Sequence, residues 1–337
     1  MSLLPFLHRA AAGSRLSAEE AHQAMSALLE GQAGEAEIAS FVTALKMRGE
    51  TAAELAGFAQ AMRDRMIVVD AGPDVIDTCG TGGDFSGTFN ISTAAAIVMA
   101  AAGARVAKHG NRALSSQAGS ADVLEALGVR MAMTPEEAAR AVREIGIGFL
   151  FAPALHPAMK HAQPVRRALK MRTVFNLLGP LANPARAQRQ LIGAPSPEAA
   201  ALMAEALSQL GVERAFIVHG HDGLDEVSTT GPTDVWEVST GRVEKLLWTP
   251  ADFGVRRASL ADLKGGDAAR NAQMIESVLA GEPGAARDIV LVNAAAGLVV
   301  ANLAPDLRSA LALATQAIDS TAASATLKKL QKNFPFS

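Results

Sequence analysis

The sequence contains a single cysteine, Cys79, among its 337 residues. One thiol excludes an intramolecular disulfide framework and a cysteine-rich zinc site. The chain also has little net charge, −3 with histidine neutral. A nearly balanced charge gives no general attraction for a polyanion, so any phosphate binding has to come from local geometry. We therefore expect no nucleic-acid partner.

Long hydrophobic runs are also missing. The most apolar stretches, residues 91–104 and 289–304, are rich in alanine, interrupted by polar residues and shorter than a membrane span. They predict buried helices. Residues 1–9 contain too short an apolar run for a signal peptide, with no basic region before it. The sequence thus predicts a cytoplasmic protein without a membrane partner.

The composition that remains is globular, with 49% apolar residues and enough length for two folded units. The first 65 residues predict helices only. Ser17 with Glu20, and Thr51 with Glu54, form two capping boxes, in which a hydroxyl and a carboxylate satisfy free N–H groups of a first helical turn. Apolar residues recur between them at roughly helical spacing. These are Ile38, Phe41, Val42, Leu45 and Met47, with Gly31 and Gly49 where helices would end.

After residue 66 the pattern changes to short strands that alternate with helices. Strands are predicted over residues 75–79, 105–108 and 214–218, and helices over 92–102, from about Ser120, and from Pro135 to Gly146. Such an order predicts an α/β fold with a mostly parallel sheet flanked by helices. Ligands of these sheets bind at the carboxyl ends of the strands, where three polar loops would meet.

The first loop begins at Gly80 and reads Gly-Thr-Gly-Gly-Asp, ending at Asp84. Glycines let the backbone approach a ligand and turn N–H groups toward one anion, and the following helix adds its positive N-terminus. The run lacks the lysine of a P-loop and the third glycine of the dinucleotide fingerprint. Taken alone it is also compatible with a generic tight turn. Asn90, Ser92 and Thr93 follow at the helix start, either as caps or as ligands of phosphate or metal.

The second loop runs from Lys108 to Ser116, followed by Gly119 and Ser120. Its cations, amide and hydroxyls form a dense set of anion-binding groups, with Lys108 as a point charge and Arg112 as a bidentate donor. The alternative is a solvated surface loop. Because the segment directly follows a predicted buried strand, we favour the anion site.

The third loop, residues 219–226, contains Asp222, Asp225 and Glu226. Closely spaced carboxylates suit Mg²⁺, a hard cation that prefers oxygen ligands and is commonly shared with substrate phosphates. The two histidines at 219 and 221 also permit a transition-metal site, which is less favoured because no third spaced ligand set is evident. A charged surface turn is the remaining alternative.

With these loops in place, nearly the whole chain resembles the anthranilate phosphoribosyltransferase family. The resemblance is carried by the runs at 80–84, 88–93, 108–116, 119–122 and 161–180, together with Asp225 and Glu226. It implies a helical domain of residues 1–67 with 165–190, through which two copies of the chain form a homodimer. It further implies an α/β domain of residues 68–164 with 191–337, which binds 5-phosphoribosyl diphosphate.

The resemblance also assigns roles to individual residues. Mg²⁺ is the implied cofactor, held by Ser92, Asp225 and Glu226, and the implied catalytic residues are Lys108, Asn111 and Arg166. Anthranilate is assigned to Gly80, Asn111 and Arg166. The implied donor-binding residues are Gly80, Gly83, Asp84, Thr88, Asn90, Ile91, Ser92, Thr93, Lys108, His109, Gly110, Asn111, Arg112, Ala113, Leu114, Ser115, Ser116 and Ser120. Phe85 departs from the glycine that many relatives carry there.

The implied reaction is displacement of diphosphate at C1 of the ribose by the amino group of anthranilate. Mg²⁺ and Lys108 would neutralise the leaving diphosphate, and Arg166 would pair with the acceptor carboxylate. His109 and His156 are candidates for the acceptor route, although His156 is equally compatible with a backbone-bonded structural histidine. The alternatives are a pyrimidine nucleoside phosphorylase and a non-catalytic nucleic-acid-binding relative of the same fold.

Overall fold

The computed structural model describes residues 2–82, 86–113 and 117–336. Five of the expected donor-binding residues, Gly83, Asp84, Leu114, Ser115 and Ser116, lie outside these ranges. So does Phe85. All the other site residues named above lie within the described part of the chain.

The N-terminal part of the chain is a bundle of helices, as the sequence predicts. Both capping boxes form, with Ser17 and Thr51 each accepting a hydrogen bond from the backbone of the glutamate three residues later. Phe41 and Phe58 meet edge to face in its core, with ring centroids 6.1 Å apart. The four helices are α1 (Leu4–Ala11), α2 (Ala18–Leu29), α3 (Glu35–Arg48) and α4 (Ala52–Arg63).

Met47, one of the regularly spaced apolar residues of α3, does not lie on the buried face of that helix. Ile38, Phe41, Val42 and Leu45 are buried, but Met47 is 84% exposed. The spacing explains the difference, since a residue two positions beyond Leu45 lies about 200° further around a helix of 3.6 residues per turn. Met47 therefore does not share the buried face of its apolar neighbours.

The rest of the chain is organised around a sheet of seven described strands, in the order β3-β2-β1-β4-β5-β6-β7. The first five strands pair in parallel, whereas β6 and β7 are antiparallel. The chain order reverses between β1 and β4, which is the topological switch point at which such sheets bind ligands. The strands are β1 (Val75–Gly80), β2 (Arg105–Gly110), β3 (Ile147–Phe151), β4 (Arg189–Gly193), β5 (Arg214–Gly220), β6 (Thr233–Ser239) and β7 (Arg242–Trp248).

Helices cover both faces of this sheet. On β5, Phe216 and Val218 belong to one hydrophobic core, and Ala215 and Ile217 belong to the other. The alternation follows from the period of two along a strand. The helices outside the bundle are α5 (Ile91–Ala101), α6 (Ser120–Ala126), α7 (Pro135–Ile145), α8 (Ala152–Leu155), α9 (Gln163–Leu169), α10 (Phe175–Leu181), α11 (Pro197–Gln209), α12 (Pro250–Phe253), α13 (Ala268–Leu279), α14 (Ala285–Val300), α15 (Leu307–Asp319) and α16 (Ala322–Asn333), with 3-10 helices at Pro157–His161 and Leu260–Leu263.

The segment around α9 and α10 packs with the N-terminal bundle. Val165, Phe175 and Leu178 are buried in the same core as Phe41 and Phe58. The chain returns to the bundle core before residue 165, because Met159 is also buried in that core. Strand β4 starts at Arg189, just before the expected boundary at 190. The domain boundaries at 67, 164 and 190 stay a prediction.

The two apolar stretches singled out in the sequence form buried helices. Residues 91–104 contain α5, and residues 289–304 contain most of α14, whose residues from Ile289 to Val300 are all buried. Among the helices of the described residues, none has the length and apolar character needed to cross a membrane.

Candidate active site

The centre of the site is a close approach of two glycines to one acidic residue. Gly80 ends β1 and is paired in register with Gly193, which ends β4. A Cβ atom on Gly80 would lie 2.4 Å from Oδ2 of Asp225, and one on Gly193 would lie 1.6 Å from the Asp225 carbonyl oxygen. A Cβ on Gly193 would displace backbone, so only glycine fits there, whereas a Cβ on Gly80 would displace the Asp225 carboxylate. The third loop is thus pressed against the switch point between β1 and β4.

Hydrogen bonds fix the backbone of the first loop where it leaves this point. Thr81 donates its N–H to the Gly193 carbonyl over 2.9 Å, and Gly82 donates its N–H to Oδ2 of Asp225 over 3.0 Å. Gly82 has a φ of +68°, a left-handed conformation that favours glycine. The acidic loop therefore orients the start of the glycine loop.

The start of α5 is joined to the same acidic loop. The backbone N–H of Ser92 donates to Oε1 of Glu226 over 3.1 Å, and the Ser92 hydroxyl accepts from Nζ of Lys108 over 3.2 Å. A carboxylate at the N-terminus of a helix is favourable because free N–H groups point outward there. The structure thus brings together residues from the first, second and third loops, as expected from their places after the strands.

Asn90 and Thr93 do not act as simple caps. Asn90 donates its side-chain amide to the Ala118 carbonyl over 3.2 Å and accepts from Asn271 over 2.9 Å, with no side-chain capping bond to α5. Its role in the structure is to join the second loop to α13. Thr93 is fully buried, and its hydroxyl has no hydrogen-bond partner among the described residues. Thr88 is half-buried and pairs in an isolated antiparallel bridge with Lys264.

Lys108 is almost completely buried at 2% exposure, deeper than a loop cation would be. Its ammonium donates to the Thr78 carbonyl at the end of β1 and to the Ser92 hydroxyl. Burial of an ammonium requires such partners, because an unpaired charge away from water is costly. Lys108 therefore lies beneath the strand ends and places positive charge beside the start of α5.

Arg112, a cation of the second loop, does not have the environment that the sequence predicts. Arg112 is exposed, and its guanidinium forms ion pairs with Asp122 at 3.0 Å and Glu125 at 2.6 Å. These carboxylates raise the Arg112 pKa, Glu125 contributing most. The expectation of a free bidentate anion-binding group at Arg112 is not met in this structure, because α6 supplies its own acids.

The remaining described residues of the second loop surround the N-terminus of α6. Ser120 donates its hydroxyl to the Asn111 carbonyl over 3.2 Å, and Ala113 donates its N–H to Asp122 over 3.0 Å. A Cβ on Gly110 would lie 2.4 Å from the Ser120 hydroxyl oxygen, so a larger residue at the end of β2 would displace that hydroxyl. This packing holds the loop backbone against α6.

Two histidines lie side by side behind the second loop. His109 and His156 are buried with ring centroids 5.1 Å apart. Burial lowers the pKa of His109 to about 3 and that of His156 to about 4, so both rings are neutral at pH 7. His109 Nδ1 is 3.2 Å from the Gly179 carbonyl, yet both Nε2 atoms have no partner among the described residues.

Asp77 and Cys79 on β1 support the site from below. Asp77 is fully buried and accepts the N–H of His109 over 3.0 Å, and burial raises its pKa. Burial also raises the pKa of the Cys79 thiol well above its usual range. A protonated, buried thiol is not a nucleophile, which agrees with the prediction that Cys79 is a strand residue.

Arg166 is a half-buried cation on α9. Among the described residues it has no hydrogen-bonded or ion-paired acid, and its guanidinium lies 5.7 Å from the ring centroid of Phe175. Burial lowers its pKa, but an arginine remains charged at pH 7. A half-buried guanidinium without an acidic partner among the described residues can bind a carboxylate from outside the chain.

The oxygen atoms offered by Ser92, Asp225 and Glu226 suit a hard cation. All three residues meet at the carboxyl ends of β1 and β5, and each offers oxygen and no nitrogen or sulfur. That chemistry fits Mg²⁺. In the described ranges, no group of three or more histidine, cysteine, aspartate or glutamate side chains is placed to hold a metal ion.

Two residues of the site were missed in the sequence. Gly193 follows Leu191 and Ile192 at the end of β4, and two apolar residues are too short a run to predict a strand. Arg172, which follows α9, donates through Nη1 to the Gly82 carbonyl. No local pattern links Arg172 to Gly82, because the two residues are 90 positions apart along the chain.

Comparison with known proteins agrees with this geometry. Residues 4–66 match the helical bundle domain of a glycosyl transferase family, and residues 72–324 match the a/b domain of that family. The chain is 60% identical over 333 residues to the anthranilate phosphoribosyltransferase of Solibacter usitatus, covering 98% of each chain. It is 50% identical over 327 residues to that of Symbiobacterium thermophilum, covering 97% of this chain and 96% of the relative.

Solved structures show the same architecture. Anthranilate phosphoribosyltransferase from Thermus thermophilus superposes with a TM-score of 0.92 at 44% identity, covering 97% of this chain and 98% of that one. The Saccharomyces cerevisiae protein, solved in complex with PRPP and Mg, superposes with a TM-score of 0.89 at 29% identity, covering 98% and 97%. The chain therefore belongs to the anthranilate phosphoribosyltransferase family of glycosyl transferases.

Proposed function

We propose that this chain transfers the 5-phosphoribosyl group from 5-phosphoribosyl diphosphate to the amino group of anthranilate. The products are N-(5-phosphoribosyl)anthranilate and diphosphate, a step of tryptophan biosynthesis. The observation that carries the proposal is the meeting of the glycine loop, the start of α5 and the Asp225–Glu226 pair at one switch point. The names of the relatives agree with it.

On the donor side, the glycine loop and the start of α5 are proposed to surround the phosphate groups of the donor. Ser92, Asp225 and Glu226 would hold Mg²⁺, which supplies charge neutralisation for the leaving diphosphate when bound. Lys108 adds a fixed positive charge next to Ser92. Its burial keeps that charge in place without cost of reorganisation during reaction.

On the acceptor side, Arg166 is the group that would pair with the anthranilate carboxylate. Its partial burial and lack of an acidic partner among the described residues support this role. Asn111 and Gly80 are proposed to contact anthranilate as well. The pairing of Arg166 with the carboxylate would orient the amino group toward C1 of the ribose, which converts binding energy into alignment.

The acceptor needs little activation by the protein. An aromatic amine is neutral at pH 7 and already nucleophilic, so a strong base is not required before attack. The two histidines at the site agree with this, because burial lowers the pKa of His109 to about 3 and that of His156 to about 4, which makes both weak bases. We propose that they line the acceptor route as neutral rings.

We further propose that two copies of the chain associate through the helical bundle, and that the protein is cytoplasmic. An apolar groove between α1 and α3 supports the dimer. Its lining includes Ala10, Ala39, Ala44 and the exposed Met47. Small residues allow close approach, and an exposed methionine beside them has apolar surface to bury against a second copy.

The two alternatives are not favoured. A pyrimidine nucleoside phosphorylase and a nucleic-acid-binding relative both leave the Asp225–Glu226 pair without a purpose, and the similar proteins carry the anthranilate phosphoribosyltransferase name. Phosphorolysis of thymidine or uridine tests the first alternative. Binding of single-stranded DNA at moderate salt tests the second.

The decisive assay follows anthranilate fluorescence after addition of 5-phosphoribosyl diphosphate and Mg²⁺. We expect loss of the signal with the wild-type chain, and at least a hundredfold slower loss with the double variant Asp225→Asn/Glu226→Gln, on the order of one or more charge-assisted contacts to the metal or phosphate. The matched control is Asp70→Asn/Glu136→Gln, a pair of acids outside the site. Wild-type inactivity, or equal activity of the two double variants with unchanged Mg²⁺ dependence, would contradict the proposal.

A further inference from the structure

Arg172 makes a long-range contact that neither the sequence nor the proposed mechanism assigns. It lies in the connection between α9 and α10, is half-buried, and donates through Nη1 to the carbonyl oxygen of Gly82. The connection is itself held by local contacts, since Thr173 donates its N–H to the Asn176 side chain over 3.0 Å. A fixed segment of the helical core therefore contacts the glycine loop.

Gly82 is held from two directions. Its N–H donates to Oδ2 of Asp225 over 3.0 Å, and its carbonyl accepts from Arg172. Because each peptide unit is planar, fixing the N–H and the carbonyl of one residue sets the orientation of the two peptide units that flank it. The backbone direction of a glycine loop determines where its N–H groups point, and hence how it binds phosphate.

The same connection also belongs to the acceptor side. Arg166 lies on α9, immediately before the connection, and the carbonyl of Gly179 on α10 lies 3.2 Å from Nδ1 of His109. The helices on either side of Arg172 thus contact the second loop and carry the proposed acceptor-binding group. Arg172 adds the link from this segment to the donor loop.

From these contacts we infer that Arg172 is a positioning residue that holds the glycine loop in its donor-binding orientation by fixing the Gly82 carbonyl. This inference rests on the proposed function for the identity of the donor. The planar guanidinium is suited to the role, because it remains charged and presents several donors in a rigid arrangement. Loss of it would weaken binding of the phosphoribosyl donor, whereas the Arg166 contact to the acceptor would remain.

The test compares Arg172→Ala with Arg167→Ala, a control that removes an exposed arginine on α9. Calorimetric titration with 5-phosphoribosyl diphosphate and Mg²⁺, in the absence of anthranilate, should show donor binding about tenfold weaker for Arg172→Ala, the range of one charge-assisted hydrogen bond. The steady-state KM for the donor should rise likewise, and the KM for anthranilate should change by less than roughly threefold, a margin well below the roughly tenfold effect of one such bond. Arg167→Ala should match the wild type.

Chemical rescue separates positioning from general stability. Millimolar guanidinium should restore donor binding of Arg172→Ala, and an equal concentration of sodium chloride should not. If Arg172→Ala fails to fold, Arg172→Met keeps the aliphatic stem, removes the donors and takes its place with the same expectations. Unchanged donor affinity, absence of rescue, or equal rises of both KM values would overturn the inference. Failure of the wild-type chain to bind the donor would instead count against the proposed function.

Discussion

At the scale of single residues, the cations of the site differ in whether the chain itself supplies acceptors for them. Lys108 and Arg112 both have acceptors within the chain, whereas Arg166 has no acidic partner among the described residues. A cation that the protein does not neutralise is the one most able to bind a substrate anion. This difference between the three cations supports the proposed role of Arg166.

The first prediction concerns Arg166. Replacing it by alanine should raise the KM for anthranilate by roughly tenfold to a hundredfold, the cost of a lost charge-assisted hydrogen bond, with little change in the KM for 5-phosphoribosyl diphosphate. Steady-state kinetics with each substrate varied in turn measures both values. Arg167→Ala is the control because that arginine is exposed on the same helix. Equal rises in both KM values would rule out the acceptor role.

The second prediction concerns the buried histidines. Their folded pKa values of about 3 and about 4 lie below the value of about 6.5 in an unfolded chain. The unfolded state therefore binds protons that the folded state does not, so stability is full above about pH 6.5 and falls as the pH drops toward about 4. Each histidine contributes a slope of up to about 1.4 kcal/mol per pH unit in this window.

Urea unfolding at several pH values across that window measures the slope. The double variant His109→Asn/His156→Gln should have a flatter dependence of unfolding free energy on pH. The control His8→Gln, which changes an exposed histidine on α1, should keep the wild-type slope. Identical slopes for the wild type and the double variant would show that the two rings bind protons as readily in the folded protein as in the unfolded chain.

At the scale of elements, the site depends on how closely strand ends approach the third loop. The register of β1 with β4 places Gly80 beside Gly193, and Asp225 lies directly against both. Neither glycine has the positive φ that usually explains glycine; the cause is lack of space. A methyl group at Gly193 would displace backbone, and one at Gly80 would displace the Asp225 carboxylate.

The third prediction tests this packing. Gly193→Ala would place a methyl group 1.6 Å from the Asp225 carbonyl oxygen, so the acidic loop has to move. We expect turnover to fall by roughly tenfold or more and stability to fall by about 1–3 kcal/mol, the usual cost of overpacking. Gly231→Ala is the matched control, since its nearest contact would be a side-chain nitrogen of Arg257 at 4.0 Å. Turnover assays and urea unfolding of both variants give the answer, and wild-type behaviour of Gly193→Ala would contradict it.

At the scale of the whole molecule, two hydrophobic cores share one sheet. The bundle core continues through α10 and α11 onto one face of β4 and β5, while α5 and α14 fill the other face. The α9–α10 connection belongs to the bundle core and yet reaches the glycine loop through Arg172. Donor and acceptor groups are thus supplied by different cores that meet at the strand ends.

The fourth prediction concerns assembly. Met47→Glu places a charge in the apolar groove between α1 and α3 and should convert a dimer into a monomer of 34.9 kDa. Light scattering after size-exclusion chromatography measures the mass. Leu247→Glu, which changes an exposed leucine on β7, should stay dimeric. A wild-type mass of one chain, or a dimeric Met47→Glu, would refute association through this groove.

Much of the architecture was accessible from local sequence pattern. The capping boxes, the strands β1, β2 and β5 and the helices α5, α6 and α7 follow from short-range signals, and all are confirmed. Strand β4 was not predicted, because its five residues contain only two apolar side chains, Leu191 and Ile192, which are too few to show a period.

The sequence by itself determined the fold class, the family and the three loops, because glycine runs, hydroxyls and carboxylates are local in the chain. Only the tertiary structure decided which charges remain available. It paired Arg112 with acids of α6, buried Lys108, and brought Arg172 to Gly82, a residue 90 positions earlier in the chain. The reason is physical: ion pairing, burial and close backbone approach depend on distances between elements, and these arise only when the sheet and its two cores are assembled.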